Sequence, residues 1–157
     1  MLYKDKLYPD YLKDGNACQY IAPIAKKFCK GKGIDVGCGD FPFEDAYPLD
    51  LKHGLDAYDL PDYYDYVFSS HCLEHLGNPV KALEHWMDRI KDGGVLFLYL
   101  PHPDMEYWLP QNCRKHLHSW YPEEIKKLLI DLGLGNVMVS ERDLNWSFAA
   151  VGYVRLP

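Results

Sequence analysis

Residues 34–40 read IDVGCGD, a short apolar run that passes directly into a turn with two glycines. Glycines separated by one residue permit a tight turn and let backbone N–H groups approach a ligand without interference from a Cβ atom. The pattern therefore predicts a buried strand, Ile34–Val36, followed by a loop at Gly37–Gly39 that could contact a ligand. On its own, a G-x-G turn is only a weak indication of function.

Acidic residues end the next two predicted strands. Asp50 lies in the apolar run Ala46–Leu51, eleven residues after Gly39, and Asp59 lies near the end of Leu55–Leu60. A carboxylate at the first position could accept hydrogen bonds from both hydroxyls of a ribose, and one at the second from an adenine amino group. Either carboxylate could instead cap a loop. Suitable groups at the ends of three successive strands favour a nucleoside site.

Strand-like and helix-like segments alternate along the chain. Strands are predicted at 34–36, 46–51, 55–60, 66–69, 95–100, 137–141 and 148–154, and helices after Asn16, from Pro79 and at Pro122–Leu132. This order predicts an α/β fold with helices on both faces of a mostly parallel sheet and a final antiparallel pair. Only nine residues separate the first two strands. A loop should therefore replace the usual crossover helix, with Phe41, Pro42 and Phe43 packing in its place.

Composition and length exclude several classes of protein. The charge of −6, from 17 Lys+Arg and 23 Asp+Glu, argues against general nucleic-acid binding and against a membrane-surface protein. The longest apolar run, Val95–Leu100, is far short of the ~20 residues that span a bilayer. Five cysteines without a C-x-x-C pair suggest reduced thiols in the cytoplasm. We expect a single domain over 1–157, with an N-terminal helical segment at 1–30 and a core at 31–157.

Six segments in a fixed order carry a family resemblance. They are IDVGCGD, PLDL, YDLP, YDYVFSSHCLEHLGNP, IKDGGVLFLYLP and HLHSWYPEEIKKLL. Together, over roughly residues 30–155, they resemble a small class I S-adenosylmethionine-dependent methyltransferase of the short-loop, type 11-like branch. The resemblance implies a three-layer Rossmann-like fold. Its seven-stranded sheet would have the order 3-2-1-4-5-7-6, with strand 7 antiparallel.

The resemblance also implies a binding site for S-adenosylmethionine, which becomes S-adenosylhomocysteine on transfer. Asp35 and the two glycines would surround the methionine part of the cofactor. Asp50 would bind the ribose, and Asp59-Leu60 would lie at the adenine end. The usual third glycine of the motif is replaced by Phe41. The implied cofactor-binding residues are Asp35, Gly37, Cys38, Gly39, Asp50, Leu51, Asp59, Leu60, Ser70 and His71.

Four histidines are candidates for catalysis: His71, His102, His116 and His118. Methyl transfer depends mainly on proximity and orientation, with a general base when the acceptor is an O–H or N–H group. The alternative for His116 and His118 is that they are surface residues beside Arg114 and Lys115, or hydrogen-bonded anchors of a loop. We expect His53 to be a surface residue. The acceptor would be a small molecule or an exposed group, recognised by residues 102–121, by the N-terminal 30 residues or by another protein. An oligomer is compatible with the sequence but not indicated by it.

Residues 71–75 also match H-x-x-E-H, the inverted zinc-peptidase signature. Two histidines four residues apart on a helix could hold zinc, with the glutamate as base. Gly77 and Asn78-Pro79 follow directly, so no long helix is available to carry the motif. We therefore predict no metal site and keep a zinc hydrolase as the weaker alternative. A module of the same fold that binds the cofactor or a partner without turnover is a further alternative.

Overall fold

The computed structural model describes residues 1–54 and 56–157, without the side chain of His53. The predicted surface position of His53 and the strand assignment of Leu55 lie outside the described residues. The elements, in chain order, are β1 (Leu2–Tyr3), β2 (Lys6–Leu7), α1 (Tyr11–Asp14), α2 (Cys18–Phe28), β3 (Gly33–Val36), β4 (Ala46–Leu49), β5 (Tyr64–Ser70), α3 (Pro79–Asp88), β6 (Ile90–Pro101), α4 (Pro122–Asp131), β7 (Gly135–Val139) and β8 (Ser147–Tyr153).

The main sheet has six strands in the order β4-β3-β5-β6-β8-β7. The first four strands are mutually parallel, and β8 runs antiparallel to both β6 and β7. This confirms the α/β, Rossmann-like class and the antiparallel pair at the end of the chain. Strands β1 and β2 form a separate antiparallel hairpin. Whether 1–157 is a single domain stays a prediction.

The predicted third strand is wrong for its described part, because residues 56–60 form turns and no strand. Backbone groups of this segment are bound by helix α3 rather than by a sheet neighbour. Trp86 Nε1 donates to the carbonyl of Ala57 at 2.7 Å, and the N–H of Leu60 donates to His85 Nε2 at 2.9 Å. The sheet therefore ends at β4, one strand short of the expected seven.

Apolar layers cover both faces of the sheet. Helices α3 and α4 pack on one face through residues such as Trp86, Leu83 and Leu129. Helix α2 and the residues before it pack on the other face, with Ile21 and Ala25 buried. No helix in the described part of the chain is long and apolar enough to cross a membrane.

The link between β3 and β4 is a loop without a helix, as predicted. Phe43 fills the space of the absent helix, since its ring is buried and stacks on that of Phe68 with centroids 4.4 Å apart. The same prediction is wrong for Phe41, which is 40% exposed, and for Pro42, which is exposed. The short loop leaves the carboxyl ends of β3 and β4 open to a cavity.

Candidate functional site

A cavity of about 370 Å³ lies at the carboxyl ends of β3, β4 and β5. Ligands of open α/β sheets bind at this edge. Eight of the ten residues expected to bind the cofactor line the cavity: Asp35, Gly37, Cys38, Gly39, Asp50, Leu51, Ser70 and His71. The structure thus brings most of the expected site together, although their contacts with a cofactor stay a prediction.

The glycine turn has a backbone that requires glycine at its first position. Gly37 has φ +78° and Gly39 φ +58°, both in the left-handed region. A Cβ atom on Gly37 would lie 2.4 Å from the sulfur of Cys72, whereas one on Gly39 would meet nothing within 4 Å. The N–H groups of Gly37 and Cys38 donate to the carbonyl of Leu49 at 2.8 and 3.2 Å. The turn is therefore fixed against the end of β4.

Asp50 is held rigidly beside this turn. Its Oδ2 accepts a hydrogen bond from the N–H of Gly39, and its Oδ1 accepts one from the N–H of Lys52, each at 3.0 Å. A carboxylate oxygen can accept more than one hydrogen bond. The orientation fixed by the backbone therefore leaves capacity on both oxygens for the two hydroxyls of a ribose.

Two polar atoms at the cavity are buried without a hydrogen-bond partner among the described residues. They are Oδ1 of Asp35 and Oγ of Ser70. The other oxygen of Asp35 accepts from the N–H of Phe43 at 2.7 Å. Burial raises the pKa of Asp35 to about 7. Buried polar groups nearly always have partners in native proteins, so these atoms fit a cavity that receives a polar ligand.

Asp59 and Leu60 do not line the cavity, although the resemblance assigns them to the adenine end. Leu60 is buried in the core, and Asp59 is exposed in a turn in which its N–H donates to the carbonyl of Asp56. Ala57 lines this part of the cavity instead. The difference arises because residues 56–60 form turns against α3 and not a strand of the sheet. Asp59 therefore does not lie at the carboxyl end of a strand, where the cavity is.

A second cavity, of about 530 Å³, adjoins the first. The two cavities share Gly15, His71 and His75 in their linings. The remaining lining comes from the N-terminal segment and from the loop before α4: Tyr11, Leu12, Ala17, Tyr107, Trp108, Asn112, Cys113, Arg114, Lys115 and His116. This arrangement offers two adjacent binding spaces, one of which carries the predicted cofactor residues.

Two of the four candidate histidines lie at these cavities. His71 lines both, and its Nε2 is 3.0 Å from Oγ of Ser147. Its backbone has φ +49°, an uncommon conformation that clusters at functional sites. Burial lowers the pKa of His71 to about 3 and that of His116, in the second cavity, to about 4. Both rings are therefore neutral at neutral pH.

The other two candidate histidines line neither cavity. Nδ1 of His102 accepts from the N–H of Asp104 at 3.1 Å, and its ring meets that of Tyr121 edge-on. Nε2 of His118 lies 2.9 Å from the carbonyl of Leu76, and its ring stacks on Trp120. The position of His118 fits a loop anchor, the alternative considered for it. A catalytic role for either histidine stays a prediction.

A cluster that the sequence reasoning set aside lies at the boundary between the cavities. Glu74, His75 and His116 each place a donor atom within 4.8 Å of the others. As expected, no long helix carries the H-x-x-E-H motif, because Leu73–His75 forms a single 3-10 turn. Neither carboxylate oxygen of Glu74 has a hydrogen-bond partner among the described residues. Burial raises the pKa of Glu74 to about 8.

The sequence points to the N-terminal 30 residues as a possible acceptor-binding part but singles out none of the lining residues within them. Tyr11 is buried, and its hydroxyl contacts Oγ of Ser147 at 3.0 Å and donates to the carbonyl of Asn145. Nothing in the sequence around Tyr11 indicates this long-range contact. For Glu74 and His75 a signal existed, namely the H-x-x-E-H motif, but the third member, His116, comes from a distant loop.

Comparisons with known proteins agree with the fold. A model of the family described as "Methyltransferase domain" matches residues 11–154. A S-adenosylmethionine-dependent methyltransferase from Archaeoglobus fulgidus is 19% identical with a TM-score of 0.70, covering 91% of this chain and 97% of its own. One from Thermotoga maritima is 17% identical with a TM-score of 0.68, covering 91% of each chain.

Larger enzymes share the fold over part of their length. Human N-acetylserotonin methyltransferase, solved with S-adenosylmethionine, is 15% identical with a TM-score of 0.54, covering 71% of this chain and 34% of its own. No protein of curated function matches the sequence significantly. The family match spans nearly the whole chain, and the glycine turn with its partnerless polar atoms fits the cofactor of that family. The chain therefore belongs to the methyltransferase-domain family and is a class I S-adenosylmethionine-dependent methyltransferase.

Proposed function

We propose that this enzyme methylates a small molecule bound in the second cavity, with S-adenosylmethionine bound in the first. The observation that carries the proposal is the shared wall, Gly15, His71 and His75, which makes the two spaces neighbours. A volume of about 530 Å³ lies within the ~300–1,000 Å³ range of small-molecule pockets. The negative charge of the chain, −6, speaks against a nucleic-acid acceptor.

The residues of the first cavity would hold and orient the cofactor. When bound, S-adenosylmethionine supplies an activated methyl group. Asp50 would receive the ribose hydroxyls, since its orientation is fixed by two backbone N–H groups. The buried oxygens of Asp35 and Ser70 would accept or donate at the methionine side. Such positioning supplies most of the rate in a bimolecular transfer, because it replaces a random encounter with a fixed geometry.

Of the four candidate histidines, His71 is the one that could contact both substrates. It lines the two cavities, and burial keeps its ring neutral at neutral pH. A neutral imidazole can accept a proton from an acceptor O–H or N–H group. Arg114 and Lys115 lie at the second cavity as well and would favour an acceptor that carries an anionic group.

The five cysteines are all unpaired, which supports a reducing compartment such as the cytoplasm.

The first experiment measures cofactor binding by calorimetry, with a matched pair of aspartates. We expect Asp50→Ala to weaken the binding of S-adenosylmethionine and S-adenosylhomocysteine by about 10- to 100-fold, since it removes a charged hydrogen-bond acceptor worth ~1.5–3 kcal/mol. Asp59→Ala, which changes an exposed residue outside the cavity, should bind like the wild type. Equal losses in both variants would place the adenine end at Asp59 and contradict the cavity assignment.

The second experiment identifies the class of acceptor. The protein is incubated with S-adenosylmethionine carrying a labelled methyl group and with a cell extract separated into small molecules, proteins and nucleic acids. We expect label in the small-molecule fraction, and much less of it with Asp50→Ala at a cofactor concentration near the wild-type dissociation constant. Label in the protein or nucleic-acid fraction would contradict the proposed acceptor. Absence of label from every fraction, with cofactor binding intact, would favour a module that binds without turnover.

A further inference from the structure

We propose that Glu74, His75 and His116 bind a divalent transition-metal ion at the boundary between the two cavities. The donor atoms of the three residues lie within 4.8 Å of one another. Ligand atoms of a tetrahedral zinc site are roughly 3.4 Å apart, so small side-chain rotations would bring all three atoms onto one ion. The inference revises our expectation of a chain without a metal site. It goes beyond the proposed methyl transfer and does not depend on it.

Glu74 is the strongest pointer to a missing partner. Its side chain is fully buried, and its Oε1 lies 3.6 Å from His75 Nε2 and 3.9 Å from His71 Nδ1. These distances are too long for hydrogen bonds. Neither carboxylate oxygen has another partner among the described residues. A buried carboxyl group without partners is costly, and a cation bound to it would remove that cost.

The backbone holds this carboxyl group and the distant histidine in register. The carbonyl of Glu74 accepts hydrogen bonds from the N–H groups of Leu117 and His118, at 2.8 and 3.2 Å. The loop that carries His116 is therefore fastened to the turn that carries Glu74. The rings of His75 and His116 consequently meet edge-to-face, with centroids 4.6 Å apart.

Both histidines are oriented as metal ligands are. Nδ1 of His75 donates to the carbonyl of Lys115, and Nδ1 of His116 donates to the carbonyl of Trp108, each at 2.7 Å. A carbonyl only accepts, so the proton of each neutral ring lies on Nδ1 and the lone pair lies on Nε2. Metal-ligating histidines almost always donate their other N–H to a carbonyl or carboxylate in this way.

The donor set indicates the class of ion. Two imidazole nitrogens and one carboxylate suit Zn²⁺, Fe²⁺ or Mn²⁺ and leave coordination positions open, whereas Mg²⁺ and Ca²⁺ prefer oxygen ligands alone. His75 lines both cavities and His116 lines the second. An ion held here would be within reach of an acceptor in the second cavity, and its open positions would favour an acceptor with a hydroxyl or carboxylate oxygen.

The test uses the full chain, freed of metal with a chelator and titrated with Zn²⁺ by calorimetry in the absence of cofactor. We expect one equivalent to bind, and Co²⁺ to give a visible absorption band with the same stoichiometry. Glu74→Gln, which keeps the shape of the side chain, and His116→Ala should each weaken Zn²⁺ binding by about 100-fold, the upper range even for supporting residues. Thermal unfolding without metal checks that each variant is folded.

The matched control is His118→Ala, which removes a histidine from the same loop but outside the cluster. Its affinity for Zn²⁺ should equal that of the wild type. The proposal is overturned if the wild type binds no stoichiometric Zn²⁺. It is also overturned if folded Glu74→Gln and His116→Ala bind Zn²⁺ as tightly as the wild type, since surface histidines or cysteines would then hold the ion. Since cofactor is absent throughout, either outcome leaves the methyl-transfer proposal to its own experiments.

Discussion

The two cavities have walls of different origin. The first is built mainly by strand ends and the residues that follow them, such as Gly37–Gly39 and Asp50, with Gly15 and Cys18 added from the N-terminal segment. The second is built by the N-terminal segment, by His71 after β5 and by a loop before α4 that contains His116. Most of the first lining comes from short stretches joined to the sheet, whereas most of the second comes from the N-terminal segment and the loop.

The lining of the first cavity belongs to the shared fold, whereas the lining of the second can vary between proteins with this fold. A lining built by strand ends is fixed by the register of the sheet. A wall built by loops and by a terminal segment can change without disturbing the core. The predicted cofactor residues thus lie on the part of the molecule that the fold fixes, and the proposed acceptor cavity is built by parts that can vary.

The largest effect is expected from a substitution that breaks the first wall. Gly37→Val would place a Cβ atom 2.4 Å from the sulfur of Cys72, at φ +78°. Crowding in a packed site costs ~1–3 kcal/mol, and the left-handed backbone adds ~1–2 kcal/mol for a residue with a Cβ atom. We expect a loss of about 3 kcal/mol or more in the free energy of unfolding, measured by urea denaturation without ligand.

The control for this prediction lies two residues away. Gly39 shares the left-handed backbone, but a Cβ atom there would meet nothing within 4 Å. Gly39→Ala should therefore cost only the backbone contribution, about 1–2 kcal/mol. If both substitutions destabilised the protein equally, the contact between the turn and Cys72 would not be what restricts position 37.

The same contrast explains which parts could be predicted from sequence. The parallel core and the residues of the first cavity follow from local patterns, because an apolar run ending in Gly-x-Gly or in Asp carries its meaning within a few residues. The absence of the predicted third strand could not be foreseen, because two hydrogen bonds with α3 override its apolar pattern: Trp86 Nε1 donates to the segment and His85 Nε2 accepts from it. The proximity of His116 to Glu74 could not be predicted, because only the folded loop brings the two residues together.

The next prediction concerns how the stability of the protein depends on pH through Asp35, which lines the first cavity. The pKa of Asp35 is raised to about 7 from 3.8, so between these values the folded protein binds more protons than the unfolded chain. The contribution of Asp35 to stability therefore falls as pH rises through this window, by up to ~1.4 kcal/mol per pH unit. Asp35→Asn removes this dependence while keeping an acceptor for the N–H of Phe43. The variant should gain stability relative to wild type from pH 4 to pH 7.

Unfolding curves are measured at several pH values, and Asp65→Asn serves as the control. The pKa of Asp65 is shifted in the opposite direction to that of Asp35. The pKa of Asp65 is lowered, mainly because its carboxylate accepts a hydrogen bond from the N–H of Lys32. Its stabilising contribution is present above the unfolded pKa and is lost as pH falls through the folded value. Asp65→Asn should therefore lose stability relative to wild type at neutral pH. A flat difference curve for Asp35→Asn would contradict the burial of an uncompensated carboxyl group at the first cavity.

The smallest effect is expected at the second wall, where Tyr11 ties the N-terminal segment to the end of β8. Its hydroxyl donates to the carbonyl of Asn145 and contacts Oγ of Ser147. Ser147 Oγ also contacts His71 and donates to Asn145, so both partners of Tyr11 keep another hydrogen bond after its removal. Tyr11→Phe should therefore cost only about 1 kcal/mol of global stability.

A local measurement makes this prediction sharper than the global one. Hydrogen exchange of residues 11–16 should become faster in Tyr11→Phe, because the segment loses its tie to β8, while exchange in β5 should not change. Tyr20→Phe is the control, since Tyr20 packs against the ring of Tyr11 with centroids 5.0 Å apart but is 38% exposed. Unchanged exchange in Tyr11→Phe would mean that ring packing alone holds the N-terminal segment. The lining of the second cavity would then be as stable locally as that of the first. The two linings would differ in the parts of the chain that form them and not in stability.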